Sequence, residues 1–284
     1  MLGMLLTLYF AKLPLKGNPM KTLKNPCALL ILLISFCLPS WAQDHRSAEH
    51  QVRDAYRHPS QTLDFFEVQP QHTVVEIWPG GGWYSEILAP LLKEKGVFYA
   101  AHFPANSPVK FFRTMRAKFE DKLTQNPSVY DKVITTNFAP PHQLAIAPPA
   151  SADRVLTFRN VHNWMKNDSE QQAFAAFYKA LKPGGILGVV EHKAPDSFNL
   201  QKMVDTGYVG DWYIIKLAKA AGFEFLGASK VNANLKDNKD HPNGVWTLPP
   251  TLRMPGPNKE EQKALYRAIG ESDRMTLKFL KPKH

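Results

Sequence analysis

The chain has 284 residues, with 35 Lys and Arg against 25 Asp and Glu, a formal net charge of +10, and two cysteines. A charged fraction of 21% and a hydrophobic fraction of 44% exclude wholesale disorder and a polytopic membrane protein. Two cysteines exclude a disulfide scaffold and a multi-cysteine zinc fold.

The first 42 residues have the make-up of an export signal. Lys21 and Lys24 form a basic start, residues 28–38 are an apolar run, and Pro39 breaks it. Ser40 and Ala42 then put small residues at −3 and −1 of a cleavage site. The run falls short of the roughly 20 apolar residues that a membrane span takes. Met20 directly precedes the basic start, so residues 1–19 read as a misplaced gene start. The competing reading is an uncleaved anchor that also uses residues 1–10. Cleavage after Ala42 removes Lys12, Lys16, Lys21 and Lys24, no acids, and both Cys27 and Cys37. The remaining 242 residues carry a net charge of +6 and no thiol, which suits an oxidising compartment. The expected location is periplasmic or secreted, with no stable membrane span after cleavage.

Residues 43–66 read as a polar, helical lead-in whose His45, His50 and His58 are expected to be solvated. From residue 72 the pattern alternates between strand and helix. Residues 73–77 are a β-branched run that ends in Pro79-Gly80-Gly81-Gly82. Tyr84, Ile87, Leu88, Leu91 and Leu92 follow at helical spacing, with Pro90 inside. Residues 97–101 make a second strand, 107–124 a basic amphipathic helix, and 132–136 a third strand. Pro140, Pro141, Pro148 and Pro149 mark a loop before a fourth strand at 153–158. A helix follows, capped by Asp168 or Ser169, striped by Phe174, Phe177, Tyr178 and Leu181, and stopped by Pro183-Gly184-Gly185. Residues 186–190 are a fifth strand ending at Glu191-His192, 212–221 a helix, and 223–229 a sixth strand. Residues 231–270 read as an insertion containing a polar helix at 259–269, and 275–280 as a last strand. Regular alternation predicts one α/β domain over 43–284, built on a largely parallel sheet.

The glycine turn carries the chemistry. Glycines after a strand let backbone approach a ligand, and the following helix start adds free N–H groups. A plain tight turn needs fewer glycines than three. No Gly-Lys-Ser/Thr follows, so it is not a P-loop, and the dinucleotide spacing is absent. The turn resembles motif I of the class I S-adenosylmethionine-dependent methyltransferases. Glu76 matches the acidic position, and Gly80 and Gly82 match the last two glycines, while Trp78 stands in place of the first. Leu181-Lys182-Pro183-Gly184-Gly185-Ile186-Leu187 resembles the element before the family's fifth strand. Asp153–Leu156 resembles its fourth strand, and Ala220-Ala221-Gly222-Phe223 the approach to its sixth. The chain is also similar to an exported subgroup of methyltransferase-like proteins with a Trp-Pro-Gly-Gly-Gly-Trp motif.

The resemblance implies a Rossmann-like class I methyltransferase fold, a mostly parallel seven-stranded sheet with helices on both faces. Residues 274–280 would be its antiparallel seventh strand. It implies S-adenosyl-L-methionine as cofactor, held by Glu76, Pro79, Gly80, Gly81 and Gly82. His102, at the end of strand two, takes the place of the carboxylate that holds the ribose. Asn137, after strand three, would face the adenine. Arg159, Asn160 and Trp164 follow strand four and, with Tyr208, are candidates for substrate binding; the alternative is a polar loop with an anchoring Trp. His162, His192 and Glu191 are candidates for proton transfer; the alternative for Glu191-His192 is a surface pair. Asp211, Trp212 and Tyr213 are further candidates for the cleft wall. Residues 241–246 read as a turn and hairpin, either a lid or a structural flap. No metal-ligand spacing is present, so no metal is expected. The expected function is methylation of a small molecule or cell-envelope component. The alternative is a non-catalytic periplasmic binding protein on the same fold. The modest +6 and scattered basic residues speak against nucleic acid as a partner.

Overall fold

The computed structural model describes residues 45–256 and 259–283. The export-signal reading falls on residues 1–42 and lies outside the described residues. The lead-in forms three short helices, Ala48–Gln51 (α1), Asp54–Arg57 (α2) and Pro59–Phe65 (α3). Then follow β1 (Thr73–Ile77), α4 (Ser85–Leu92), β2 (Val97–His102), α5 (Lys110–Gln125), α6 (Pro127–Tyr130) and β3 (Val133–Asn137). The next elements are β4 (Ala152–Phe158), α7 (Val161–Met165), α8 (Glu170–Ala180), β5 (Leu181–His192) and α9 (Leu200–Thr206). Last come α10 (Asp211–Ala220), β6 (Glu224–Ser229), α11 (Lys259–Ile269) and β7 (Arg274–Leu280).

The seven strands form one sheet in the order β3-β2-β1-β4-β5-β7-β6. The pairs among β3, β2, β1, β4 and β5 are all parallel. β7 alone runs antiparallel to both its neighbours, β5 and β6. The chain order reverses between β1 and β4, which places a crevice at the carboxyl ends of those strands.

Side chains alternate along each strand, so each strand feeds two layers. Val75, Ile77, Val155, Leu187 and Val189 pack with Phe174 and Phe177 of α8 and Ile214 and Leu217 of α10. Val74, Leu156 and Val190 point the other way, onto Leu88 and Leu92 of α4 and Phe119 of α5. The helices therefore cover both faces. Each of these buried Leu, Val, Ile or Phe side chains stabilises the fold by roughly 1.5–3 kcal/mol relative to exposure.

Three details differ from the sequence reading. Residues 241–246 form no hairpin; Gly244–Thr247 is a single 3-10 turn packed on α9. A Cβ on Gly244 would lie 2.1 Å from the Thr206 carbonyl oxygen, so only glycine permits that approach. The His50 ring is not solvated: it meets the Glu86 carboxylate at 2.9 Å, and the His45 ring meets the Glu86 carbonyl at 2.7 Å. Ser169 stands at the N-cap of α8, yet no side chain caps the helix.

Candidate functional site

A cleft of about 1150 Å³ opens at the carboxyl ends of β1, β4 and β5. Its floor is the turn after β1. Trp78 sits there at φ +47 and Gly80 at φ +59. A Cβ added to Gly80 or Gly81 would touch only the Met115 methyl, at 3.9 and 3.8 Å, so the turn presents bare backbone. Gly82 is different. Its own Cβ would lie 3.1 Å from the Phe119 ring, which makes it a packing glycine beside the cleft.

The β2 terminus does not supply a ligand acceptor. The fully buried His102 ring accepts from the Phe103 N–H at 2.7 Å through Nδ1. That leaves Nε2–H to donate to the Gly80 carbonyl at 3.0 Å. Burial chiefly lowers its pKa to about 4, so the ring is neutral and holds the glycine turn from behind. The Asn137 carbonyl oxygen likewise accepts from Arg116 at 3.0 Å, and the residue lies on an exposed edge away from the cleft. Beside the glycine turn the cleft wall is aromatic. Trp78 packs on Phe103 at 4.7 Å and on Phe112 at 5.7 Å, and its indole N–H donates to the Phe138 carbonyl at 2.8 Å.

Glu76 is 2% exposed at the end of β1 and lines the cleft. Its Oε2 accepts from the Ser85 hydroxyl at 2.6 Å; Oε1 has no partner among the described residues. Burial pushes the carboxyl up to about 8, against the lowering effect of the Ser85 hydrogen bond. At neutral pH the group is mostly protonated.

Tertiary packing brings His162, Glu191 and His192 together. Glu191 is fully buried, accepts the Val161 N–H at 2.7 Å and the His192 N–H at 2.8 Å, and meets His162 Nδ1 at 3.2 Å. This carboxylate therefore orients the β4–α7 turn and the His162 ring and does not itself reach the cleft. Both rings do line the cleft. His192 is held well below the ordinary histidine range, first by burial and then by His162, Arg274 and Arg159, so it is a neutral imidazole. Its Nδ1 hydrogen-bonds the Ser272 hydroxyl, which leaves Nε2 for a ligand proton. Ligand-type atoms of these three residues lie within 4.8 Å of one another. The neighbouring guanidinium groups and the N–H donors on Glu191 favour proton handling there over a bound cation.

Trp164 and Tyr208 are corrected. Both are fully buried in the core, Trp164 against Trp78, Phe138 and Phe177, and Tyr208 with its hydroxyl on Asp237 at 2.9 Å. Trp212 is 44% exposed and is not among the cleft residues. Asn160 lines the cleft while its amide ties the Ile77 carbonyl at 2.9 Å to the Thr157 hydroxyl. Arg159 also lines the cleft, at φ +64. Of the residues singled out in the sequence, the cleft thus gathers Glu76, Pro79, Gly80, Gly81, Arg159, Asn160, His162 and His192.

Sequence reasoning missed the residues beside Arg159. Arg53 and Arg57, spaced four apart in the lead-in, reach the cleft and bond Glu271 at 2.7 and 2.9 Å. Arg274 bonds the same carboxylate. The i, i+4 arginine pair and the charged run Glu271-Ser272-Asp273-Arg274 were the available signals.

Five parallel strands followed by an antiparallel β7 make a Rossmann-like sheet. No family model matches the chain and no curated relative matches it. Solved structures do. One is a sarcosine dimethylglycine methyltransferase candidate from Galdieria sulphuraria: TM-score 0.54, 13% identity, 81% of this chain and 86% of that one. A second is phospholethanolamine N-methyltransferase 2 of Haemonchus contortus, solved with S-adenosylhomocysteine: TM-score 0.52, 14% identity, 80% of this chain and 53% of that one. A third is the [4+2]-cyclase SpnF: TM-score 0.54, 15% identity, 85% of each chain. The same scaffold thus carries more than one named reaction, and function has to be argued from the cleft.

Proposed function

We propose that the protein is an S-adenosylmethionine-dependent methyltransferase of the cell envelope, exported by its first 42 residues and acting on a small molecule or an envelope component. The observation that carries this reading is the open glycine turn beside Glu76 at the switch point of a methyltransferase sheet. Gly80 and Gly81 offer backbone to the methionine end of the cofactor, and Glu76 offers the unpartnered Oε1. Trp78, Phe103 and Phe112 offer an aromatic wall for the base. When bound, the cofactor supplies an electrophilic methyl group on a sulfonium. The chain's own contribution is to exclude water, align the acceptor, and take a proton from it at His192 or His162 when the acceptor has one to lose.

One observation favours the second reading, a binding protein without catalysis. Both ring nitrogens of His102 are used internally, and Trp78 fills space that a glycine would leave free. Calorimetric titration separates the two. The protein is expected to bind S-adenosylmethionine and S-adenosylhomocysteine, Glu76→Ala to weaken both at least tenfold, and Trp78→Gly to tighten both. No heat of binding at millimolar cofactor for either the parent protein or Trp78→Gly would sink the enzyme reading. For export, the cell-derived protein should begin at Gln43 by mass spectrometry; a retained 21–42 segment would refute cleavage. No helix among the described residues is long and apolar enough to cross a membrane.

A further inference from the structure

Four guanidinium groups, those of Arg53, Arg57, Arg159 and Arg274, surround the single carboxylate of Glu271. Arg57, Arg274 and Glu271 are each 2% exposed. Glu271 answers Arg53, Arg57 and Arg274 directly. The Arg159 guanidinium has no hydrogen-bond or ion-pair partner among the described residues, its backbone N–H alone bonding the Val190 carbonyl, and Arg57 Nη2 and Arg274 Nε are buried without a hydrogen bond. The Arg57 group is further fixed by the Trp83 ring, 4.6 Å from its guanidinium carbon. The cluster therefore holds an excess of three positive charges in a region largely withdrawn from water. Buried charge without a counter-ion is unfavourable, so the cluster favours an anion that would supply one. The other groups lining the cleft do not relieve it: Lys166 and Arg253 add positive charge, and Asp205 and the mostly neutral Glu76 are the acids.

We infer that Arg53, Arg57 and Arg159 form an oxyanion subsite that takes the phosphate group of the methyl acceptor. Phosphate fits better than carboxylate on two grounds. A phosphomonoester carries about −1.5 to −2 charge and three acceptor oxygens, against one charge for a carboxylate. Guanidinium forks also match its geometry with paired hydrogen bonds. The subsite lies beside His192 and His162, so an acceptor anchored there presents its reacting atom to the proton-handling rings and the glycine turn. An anionic acceptor also complements a cationic sulfonium donor. The inference rests on the proposed reaction only in assigning the phosphate to the acceptor; the subsite itself does not need the cofactor.

The test uses the full protein and inorganic phosphate, read by calorimetry and thermal unfolding in phosphate-free buffer. Phosphate is expected to bind saturably, to outbind acetate at least tenfold, and to raise the melting temperature. Arg159→Gln is expected to weaken phosphate at least tenfold without lowering the melting temperature in the absence of phosphate, because it removes a repelled charge. Arg253→Gln, whose guanidinium lies over the Trp246 ring and takes no part in the Glu271 cluster, should leave phosphate affinity within twofold. Glycerol 3-phosphate and phosphatidate vesicles then tell a soluble acceptor from a lipid headgroup, and binding of either supports the subsite. Absence of saturable phosphate binding, equal affinity for acetate, or unchanged affinity in Arg159→Gln would overturn it. Phosphate binding without cofactor binding would keep the subsite and remove the methyltransferase reading; cofactor binding without phosphate would do the reverse.

Discussion

Replacing Glu271 by Gln is expected to destabilise the protein by about 3–5 kcal/mol at neutral pH, the usual cost of removing one partner from a buried ion pair. The change keeps the side chain's size and removes only its charge. Burial by itself would raise the Glu271 pKa, yet Arg274, Arg57, Arg159 and Arg53 outweigh it and hold the carboxyl well below its ordinary range. Because the folded pKa is depressed, this stabilisation is complete above the unfolded carboxylate range. It is lost only as the pH falls through the folded value. The variant would leave four guanidinium groups with no counter-charge and cut the tie from Arg53 and Arg57 of the lead-in to the start of β7. Guanidinium chloride midpoints of the two proteins at pH 7 measure the loss; coincident midpoints would show that the charge does not hold these segments together.

Glu76→Gln is expected to act in the opposite direction. Burial raises the folded pKa of Glu76 to about 8 from the ordinary glutamate value of 4.5. Between those values the folded protein binds more protons than the unfolded chain, so stability falls as the pH rises through that window. At about 1.36 kcal/mol per unit, the penalty reaches roughly 2–4 kcal/mol by pH 7. The glutamine variant carries no ionisable group there. Its stability should exceed that of the parent at pH 8 and match it near pH 4.5, as followed by denaturant titration across this range. An unchanged pH profile would mean that the carboxyl is already ionised in the folded state. The same shift gives a signature for ligand binding: a positively charged ligand group at Glu76 should release up to one proton at neutral pH, visible as a buffer-dependent binding enthalpy.

Much of the scaffold was legible because its signals are local. The β-branched run at Thr73–Ile77, the glycines at 80–82, the Phe174–Phe177 stripe and the Pro183-Gly184-Gly185 stop each depend on residues a few positions apart. Helices α7 and α9 escaped notice because five and seven residues are too few to show a period. The sequence alone places Trp164 and Tyr208 among cleft groups, because an aromatic residue in a polar stretch looks the same whether it stacks on a ligand or fills a core. Only packing against Phe138 and Phe177, or the bond to Asp237, decides between them.

What the sequence determined by itself was the succession of the seven strands, the longer helices between them, the glycine turn and the acid beside it, since spacing along the chain is enough to specify them. The tertiary structure alone decided the character of the cleft. Arg53 and Arg57 meet Glu271 across more than 200 residues, and Glu191 at the end of β5 meets the His162 ring from the turn after β4. Charges that far apart in the chain acquire a sign and a strength as a group only when folding removes the water between them. The net charge is an average over the whole chain, whereas folding gathers four guanidinium groups around one buried carboxylate, three of them lining the cleft, where each charge is felt most.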